Sequence, residues 1–169
     1  MKFDPLPMIV SGGQTGVDRA ALDSALAHGL ECGGWCPKGR LAEDGRISSR
    51  YPLREASSAI YAQRTRLNVR DSSATLVITR GEPTGGTALT IRFAEQYARP
   101  CLVVDLAQNS AKLSMKQVVK WIKAESTTTL NVAGPRESGS PGIYADSLTF
   151  LNDVFHQLVG RKAEAAARR

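Results

Sequence analysis

The sequence is poor in the residues that several large function classes require. It holds three cysteines, Cys32, Cys36 and Cys101, an odd set without paired C-x-x-C spacing. This argues against a disulfide framework and a zinc finger, and points to a reducing, cytoplasmic location. Histidine occurs twice, as His28 and His156, each inside a helical pattern. That leaves little from which to build a histidine metal site or a Ser-His-Asp triad. Aromatic residues make up only 6% of the chain and do not interleave with basic ones as in single-strand nucleic-acid tracks. No apolar run approaches the roughly 18 residues of a membrane span. The N-terminal Met1-Lys-Phe-Asp-Pro-Leu-Pro7 places prolines and an acid where a signal peptide is apolar. Neither a nucleic-acid nor a membrane partner is expected, and no resident metal.

What is present suits one domain: 169 residues, 42% of them apolar, with a net charge of +6. The excess is local. Residues 1–37 carry 2 basic and 4 acidic side chains, residues 38–70 carry 8 and 3, residues 71–160 balance at 8 and 8, and residues 161–169 carry 4 and 1. The reading is a single domain over 1–160 followed by a basic, flexible tail over 161–169, which is Ala-rich with little to bury.

Short β-rich runs alternate with helical patterns. Strands are expected at 7–11, at 74–79, 101–106 and 128–133, with a second strand running into Cys32-Gly-Gly-Trp35. Helices are expected at 17–27, 85–97, 114–123 and 144–159, with one further helix over 53–61, continuing toward Gln63. Continuous apolar strands separated by helices predict a doubly wound α/β domain, a mostly parallel sheet with helices on both faces in the Rossmann-like manner. In such sheets ligands bind beyond the carboxyl ends of the strands. The stretch 37–70, long and rich in arginine, is the exception to the alternation and reads as a functional insertion.

Two glycine turns open helices at those strand ends. Gly12, Gly13, Gln14, Thr15 and Gly16 lead into Asp18 and Arg19, and Gly85, Gly86 and Thr87 open the second. Such turns free backbone N–H groups at a positive helix terminus, which suits a tetrahedral oxyanion or a phosphate, although close helix-to-sheet packing alone also explains glycine there. Neither turn is a Walker A loop or a dinucleotide fingerprint. Arg19 is expected to reach back to the anion. Lys38 and Arg40 are candidate cations, and Glu43, Asp44, Arg64, Asn131 and Arg136 are candidate further contacts. Trp35, next to this edge, could stack on a flat ring, and Cys32 and Cys36 read as bystander thiols.

Several blocks in one order resemble the molybdenum carrier family, molybdenum cofactor carrier-like proteins: Ser11-Gly-Gly-Gln-Thr-Gly-Val-Asp-Arg-Ala-Ala-Leu-Asp23, Cys32-Gly-Gly-Trp-Cys-Pro-Lys-Gly-Arg40, Ala42-Glu-Asp-Gly45, Gly85-Gly-Thr-Ala-Leu-Thr90 and Asn131-Val-Ala-Gly-Pro-Arg-Glu-Ser138. The resemblance spans about Ile9 to Leu151. It implies a Rossmann-like domain related to the LOG-type nucleotide-binding proteins, a homo-oligomer, and molybdate or the molybdenum cofactor as ligand. On that basis the expected function is a non-catalytic binding or carrier protein. The alternative is a nucleotide-binding protein or LOG-like N-glycosidic hydrolase of a nucleoside monophosphate, with Asp18, Glu43 or Asp44 as general base. The LOG enzymes place a catalytic glutamate after a Pro-Gly-Gly-x-Gly-Thr block, whereas Thr84-Gly-Gly-Thr-Ala-Leu-Thr-Ile-Arg92 has no acid there.

Overall fold

The structure, a computed structural model, describes residues 6–108 and 110–167, with side chains as far as residue 160. The elements run β1 (Met8–Val10), α1 (Val17–Ala27), β2 (Cys32–Gly33), β3 (Trp35–Cys36), β4 (Leu41–Ala42), β5 (Gly45–Arg46), β6 (Arg54–Glu55), α2 (Tyr61–Arg70), β7 (Ala74–Thr79), α3 (Gly85–Gln96), β8 (Cys101–Asp105), α4 (Ala111–Ala124), β9 (Thr129–Ala133) and α5 (Ile143–Ala167). Five strands form one sheet in the order β2-β1-β9-β7-β8, and every pairing is parallel. This is the doubly wound α/β arrangement expected from the sequence.

β7, Ala-Thr-Leu-Val-Ile-Thr, is buried at every position, which is why it reads as an unbroken run and not as an alternating strand. One face of the sheet carries α1, α4 and α5. There Ile9, Leu76, Ile78, Leu130 and Val132 meet Val17 and Ala21 of α1, Val118 and Ile122 of α4, and Phe150, Leu151 and Phe155 of α5. Each fully buried side chain of this size contributes roughly 1.5–3 kcal/mol. The other face carries α2 and α3, and its buried side chains are more polar: Asn68, Thr75, Thr87, Thr90 and Asn131. A polar face under two helices already marks the side on which hydrogen-bonding chemistry collects.

The insertion departs from the expected helix at 53–61. Arg54 and Glu55 pair instead with Trp35 and Cys36 in a small parallel sheet, with the Ala56 N–H donating to the Cys36 carbonyl at 2.8 Å. The helix starts eight residues later and runs Tyr61–Arg70. Its Asn68 side chain accepts from the Trp35 N–H at 2.7 Å and donates to the Trp35 carbonyl at 2.9 Å. A partner strand brought in from residue 35 thus overrides a local helical pattern. Between these strands, residues 37–56 form a strap across the N-terminal end of α1, and β4 and β5 make its antiparallel tip.

The basic stretch 161–169 begins within α5, whose backbone is helical to Ala167. The side chains of 161–167, and residues 168 and 169 entirely, lie outside the described residues. Among the described residues, no helix is long and apolar enough to cross a membrane.

Candidate functional site

The carboxyl ends of β1, β9 and β7 lie side by side, so the loops that follow them share one crevice of about 420 Å³. Gly12, Gln14 and Asp18 enter it from the first loop, and Arg80, Gly85, Gly86 and Thr87 from the loop after β7. Asn131, Gly134, Pro135 and Arg136 contribute from β9 and its loop, and Tyr61, Arg64 and Thr65 from α2. Two helices, α2 and α3, present their N-terminal ends here, and neither has a side-chain cap. Their leading N–H groups therefore remain available to an anion. At α3 the opening is widest: Gly85 and Gly86 have nothing within 4 Å of where a Cβ would stand.

At the floor lies an ion pair that joins two elements far apart in the chain. Arg64 Nη1 donates to Asp18 Oδ2 at 2.6 Å, with side chains only 13% and 6% exposed. The Arg64 Nε is buried with no protein partner. A guanidinium carries five N–H donors, so Arg64 retains hydrogen-bonding capacity after it has neutralised Asp18. Gly12 makes room for it, because a Cβ at residue 12 would overlap the Arg64 guanidinium.

The other candidates divide between this crevice and its surroundings. Arg64, Asn131 and Arg136, anticipated as further contacts, line the crevice. Arg19 does not reach it: its Nε and Nη2 donate to the Gly13 carbonyl at 3.1 and 3.0 Å, and its Nη1 pairs with Asp44 at 3.0 Å. Arg40 is buried and donates to the carbonyls of Ile47, Ser48, Tyr51 and Leu53. It organises the strap rather than facing the crevice. Lys38 is exposed on the strap. Gly13 and Gly16 are not at the crevice surface; Gly13 lies under Leu53 and Ile47 of the strap. Trp35 is turned away from the crevice, its Nε1 donating to Asp71 at 2.9 Å and its ring covered by Arg54 at 4.4 Å.

Arg80 and Tyr61 are among the crevice residues that escaped the sequence reading. Arg80 donates to the Pro141 carbonyl at 2.8 Å and pairs with Asp146; its signal was its place directly after a buried strand. Tyr61 puts an aromatic ring at the crevice wall, hidden because the helix it opens was expected to end there.

Glu43 ties the strap to both site loops. Its carboxylate accepts from the Thr15 hydroxyl, the Ser138 hydroxyl and the Ser138 N–H, and Arg136 Nη1 stands 4.0 Å away. These bonds, the Ser138 hydroxyl first, hold its pKa below the usual 4.5. A carboxyl with a depressed folded pKa contributes its full stabilisation above the unfolded value and loses it as pH falls through the folded one. The strap is therefore expected to loosen only below pH 4.5, and Asp44, held low by Arg19, loosens in the same direction. Hydrogen exchange of residues 41–56 between about pH 3 and 6 checks this. Glu43→Gln should exchange faster at neutral pH and flatten the profile, and a wild-type profile already flat across that window would refute the tie.

Behind the first loop is a second cleft of about 600 Å³, lined by Arg19, Asp23, Asp44, Arg50, Tyr51 and Tyr144 among others. Its charges are already paired. Asp23 accepts from Arg50, from Tyr51 at 2.7 Å and from Tyr144 at 2.6 Å. Burial, then the bond to Asp23, pushes both phenols up to about 12. The network joins the strap to α1 and α5 and keeps its protons at neutral pH. Burial likewise raises the thiols of Cys32 and Cys36 and lifts Cys101 to about 11, which makes none of them a ready nucleophile.

Comparison with known proteins bears on the family and the fold. Residues 9–155 match the model of the circularly permutated YpsA SLOG family. No curated protein matches the chain. The chain is similar to a crystal structure described as a "putative molybdenum carrier protein" from Syntrophus aciditrophicus SB, with 47% identity and a TM-score of 0.86 over 89% of this chain and 94% of that one.

Proposed function

Because the chain belongs to the circularly permutated YpsA SLOG family, we propose that it is a binding and carrier protein whose ligand lies in the crevice between α1, α2 and α3. The observation that carries this reading is the convergence of two uncapped helix N-termini, those of α2 and α3, beside Arg64, with Arg80 and Arg136 at the rim. Such a field suits a phosphate or another tetrahedral dianion. The open turn at Gly85 and Gly86 is the best place for it. A crevice of about 420 Å³ lies in the usual range for organic ligands, roughly 300–1,000 Å³, and is roomy for a bare oxyanion. The size favours a phosphate-bearing heterocycle, here the molybdenum cofactor, over free molybdate, with Tyr61 available to the ring. The similar Syntrophus protein, named for molybdenum carriage, supports the same cargo. A cytoplasmic location and self-association belong to this proposal as well.

Calorimetric titration with molybdate, molybdenum cofactor, AMP and ADP-ribose tests it. Binding of the molybdenum cofactor, with AMP returned intact, is the expected result. Arg136→Ala should weaken that binding about tenfold, the loss of one charge-assisted hydrogen bond. AMP turnover without any molybdenum cofactor binding would overturn the carrier reading.

One observation favours a second reading. Asp18, in the first turn of α1, lines the crevice beside Arg64, whereas Glu43 and Asp44 lie outside it, tied to Ser138 and Arg19. Were a nucleoside monophosphate hydrolysed here, Asp18 is the group placed to take the proton of water attacking the sugar carbon as the N-glycosidic bond breaks and the base leaves. Release of adenine and ribose 5-phosphate, abolished in Asp18→Asn, is the signature of that reaction.

A further inference from the structure

Past the Asp18–Arg64 pair the crevice continues down the face of the sheet. Asn131 of β9 pairs in register with Val10, two residues short of Gly12, and still lines the crevice. It lies three residues before Gly134, about 10 Å along the strand. Asn68 of α2 is one turn beyond Arg64, and Thr90 of α3 one turn beyond Gly86; both line the same inner end. Each of these three residues is at most 3% exposed. The mouth is charged, with Arg80, Glu82 and Arg136 around the open turn at Gly85 and Gly86, whereas Asn68, Thr90 and Asn131 are neutral.

Two of the three inner side chains are satisfied by the protein. Asn68 exchanges hydrogen bonds with the Trp35 N–H and carbonyl, and the Thr90 hydroxyl donates to the Gly86 carbonyl at 2.9 Å. Asn131 is not. Its Nδ2 meets Thr75 Oγ1 at 3.4 Å, longer than the roughly 2.7–3.2 Å of an ordinary N–H···O bond. Its Oδ1 accepts from no group among the described residues. A buried carboxamide on a strand is disfavoured unless it is paired, and this one is turned into a cavity.

We propose that Asn131 is the specificity-determining residue of the crevice: its Oδ1 accepts from an N–H on the ring edge of the ligand, which enters ring first and leaves its phosphate at Gly85 and Gly86. The inference rests on the reading of the crevice as the site of a phosphate-bearing heterocycle, and adds to it an orientation and a requirement. Charge sets the orientation. A dianion carried to the inner end would be desolvated among neutral side chains, whereas at the mouth it meets a helix N-terminus, Arg80 and Arg136. The free acceptor sets the requirement. Molybdate brings no N–H donor to it, and a ring edge made only of acceptors leaves it unpaired; the amino group of a pterin or an adenine satisfies it. Tyr61, seven residues and about 10 Å before Asn68 on α2, stands at the mouth and flanks the outer part of the ligand.

The test is calorimetry on the full chain with four probes: molybdenum cofactor, AMP, purine riboside 5′-monophosphate, which is AMP without its amino group, and ribose 5-phosphate, which has no base. Asn131→Leu keeps the size of the side chain and removes the acceptor; Asn131→Ala repeats the test if leucine disturbs the fold. The amino-bearing ligand that the unsubstituted chain binds should bind at least about tenfold more weakly to the variant. Ribose 5-phosphate should still move the Gly85 and Gly86 amide signals, its affinity changed less than about threefold. Where AMP binds, purine riboside 5′-monophosphate should be weaker by the same factor and indifferent to Asn131→Leu. The inference is overturned if the variant keeps full affinity for the amino-bearing ligand or if no such ligand binds. It is equally overturned if ribose 5-phosphate is weakened as much or leaves those two amides unmoved in the unsubstituted chain. Failure of the carrier reading looks different: AMP turned over with no molybdenum cofactor bound would end that reading, while loss of AMP affinity in Asn131→Leu would still assign Asn131.

Discussion

Arg64→Ala is expected to abolish ligand binding in the crevice and to destabilise the fold by about 3–5 kcal/mol, the usual consequence of removing one partner of a buried ion pair. Asp18, 6% exposed, would lose the guanidinium that meets it at 2.6 Å, its one side-chain hydrogen-bond donor among the described residues. Stability and binding can be separated. Arg64→Ala/Asp18→Ala removes both charges and should recover much of the lost stability, because nothing uncompensated stays buried, yet it should not recover binding. Urea unfolding and calorimetry on the two variants read the two effects independently. Wild-type affinity in Arg64→Ala would remove Arg64 from the site and leave only its structural role.

Gly16→Ala should be the most damaging of the glycine substitutions, with a loss of about 3 kcal/mol. Gly16 caps α1 at φ 77° and ψ −131°, a positive-φ region open to glycine that costs a residue with a Cβ roughly 1–3 kcal/mol. Its Cβ would also overlap the Pro135 carbonyl oxygen, the acceptor of the Val17 N–H at 3.2 Å. Overpacking against backbone that cannot rotate away adds a further ~1–3 kcal/mol. Gly86→Ala is the contrast. Gly86 lies in the first turn of α3 with open space around it, so alanine should leave stability unchanged or raise it by up to about 1 kcal/mol, at the expense of anion access. Thermal unfolding of the pair decides the matter: equal losses would show that the first loop has slack its packing does not suggest.

The two glycine turns looked alike in the sequence and serve different ends in the fold. At Gly12–Gly16 all three glycines answer to crowding: one admits Arg64, one lies under the strap, one caps a helix against the Pro135 carbonyl. At Gly85 and Gly86 there is open space. Composition cannot distinguish a glycine that admits a neighbour from one that admits a ligand, because both require only the missing Cβ.

The main strands and most helices were legible from the sequence for a definite reason. A strand buried on both faces must be apolar throughout, as residues 74–79 are, and a helix packed on such a sheet must repeat its apolar positions. The helix over 61–70 was misplaced because its start depends on Arg54 and Glu55 pairing with a strand some twenty residues away. The same distance problem governs the site. Asp18 and Arg64 are 46 residues apart, and Glu43 and Ser138 are 95. Arg19 and Arg40, the cations that looked most available, were claimed by nearby carbonyls and by Asp44.

The scarcities of the sequence, few cysteines, two histidines and no long apolar run, together with its buried strands, determined by themselves what chemistry was poorly supported, which architecture was required and at which edge of the sheet a site would lie. Only the tertiary structure decided which arginine lines the crevice and which braces a loop, and that a stretch of zero net charge displays four exposed lysines on one helix. A sum along the chain carries no direction, and a charge acts through its distance to other charges, which is fixed only when the chain has folded.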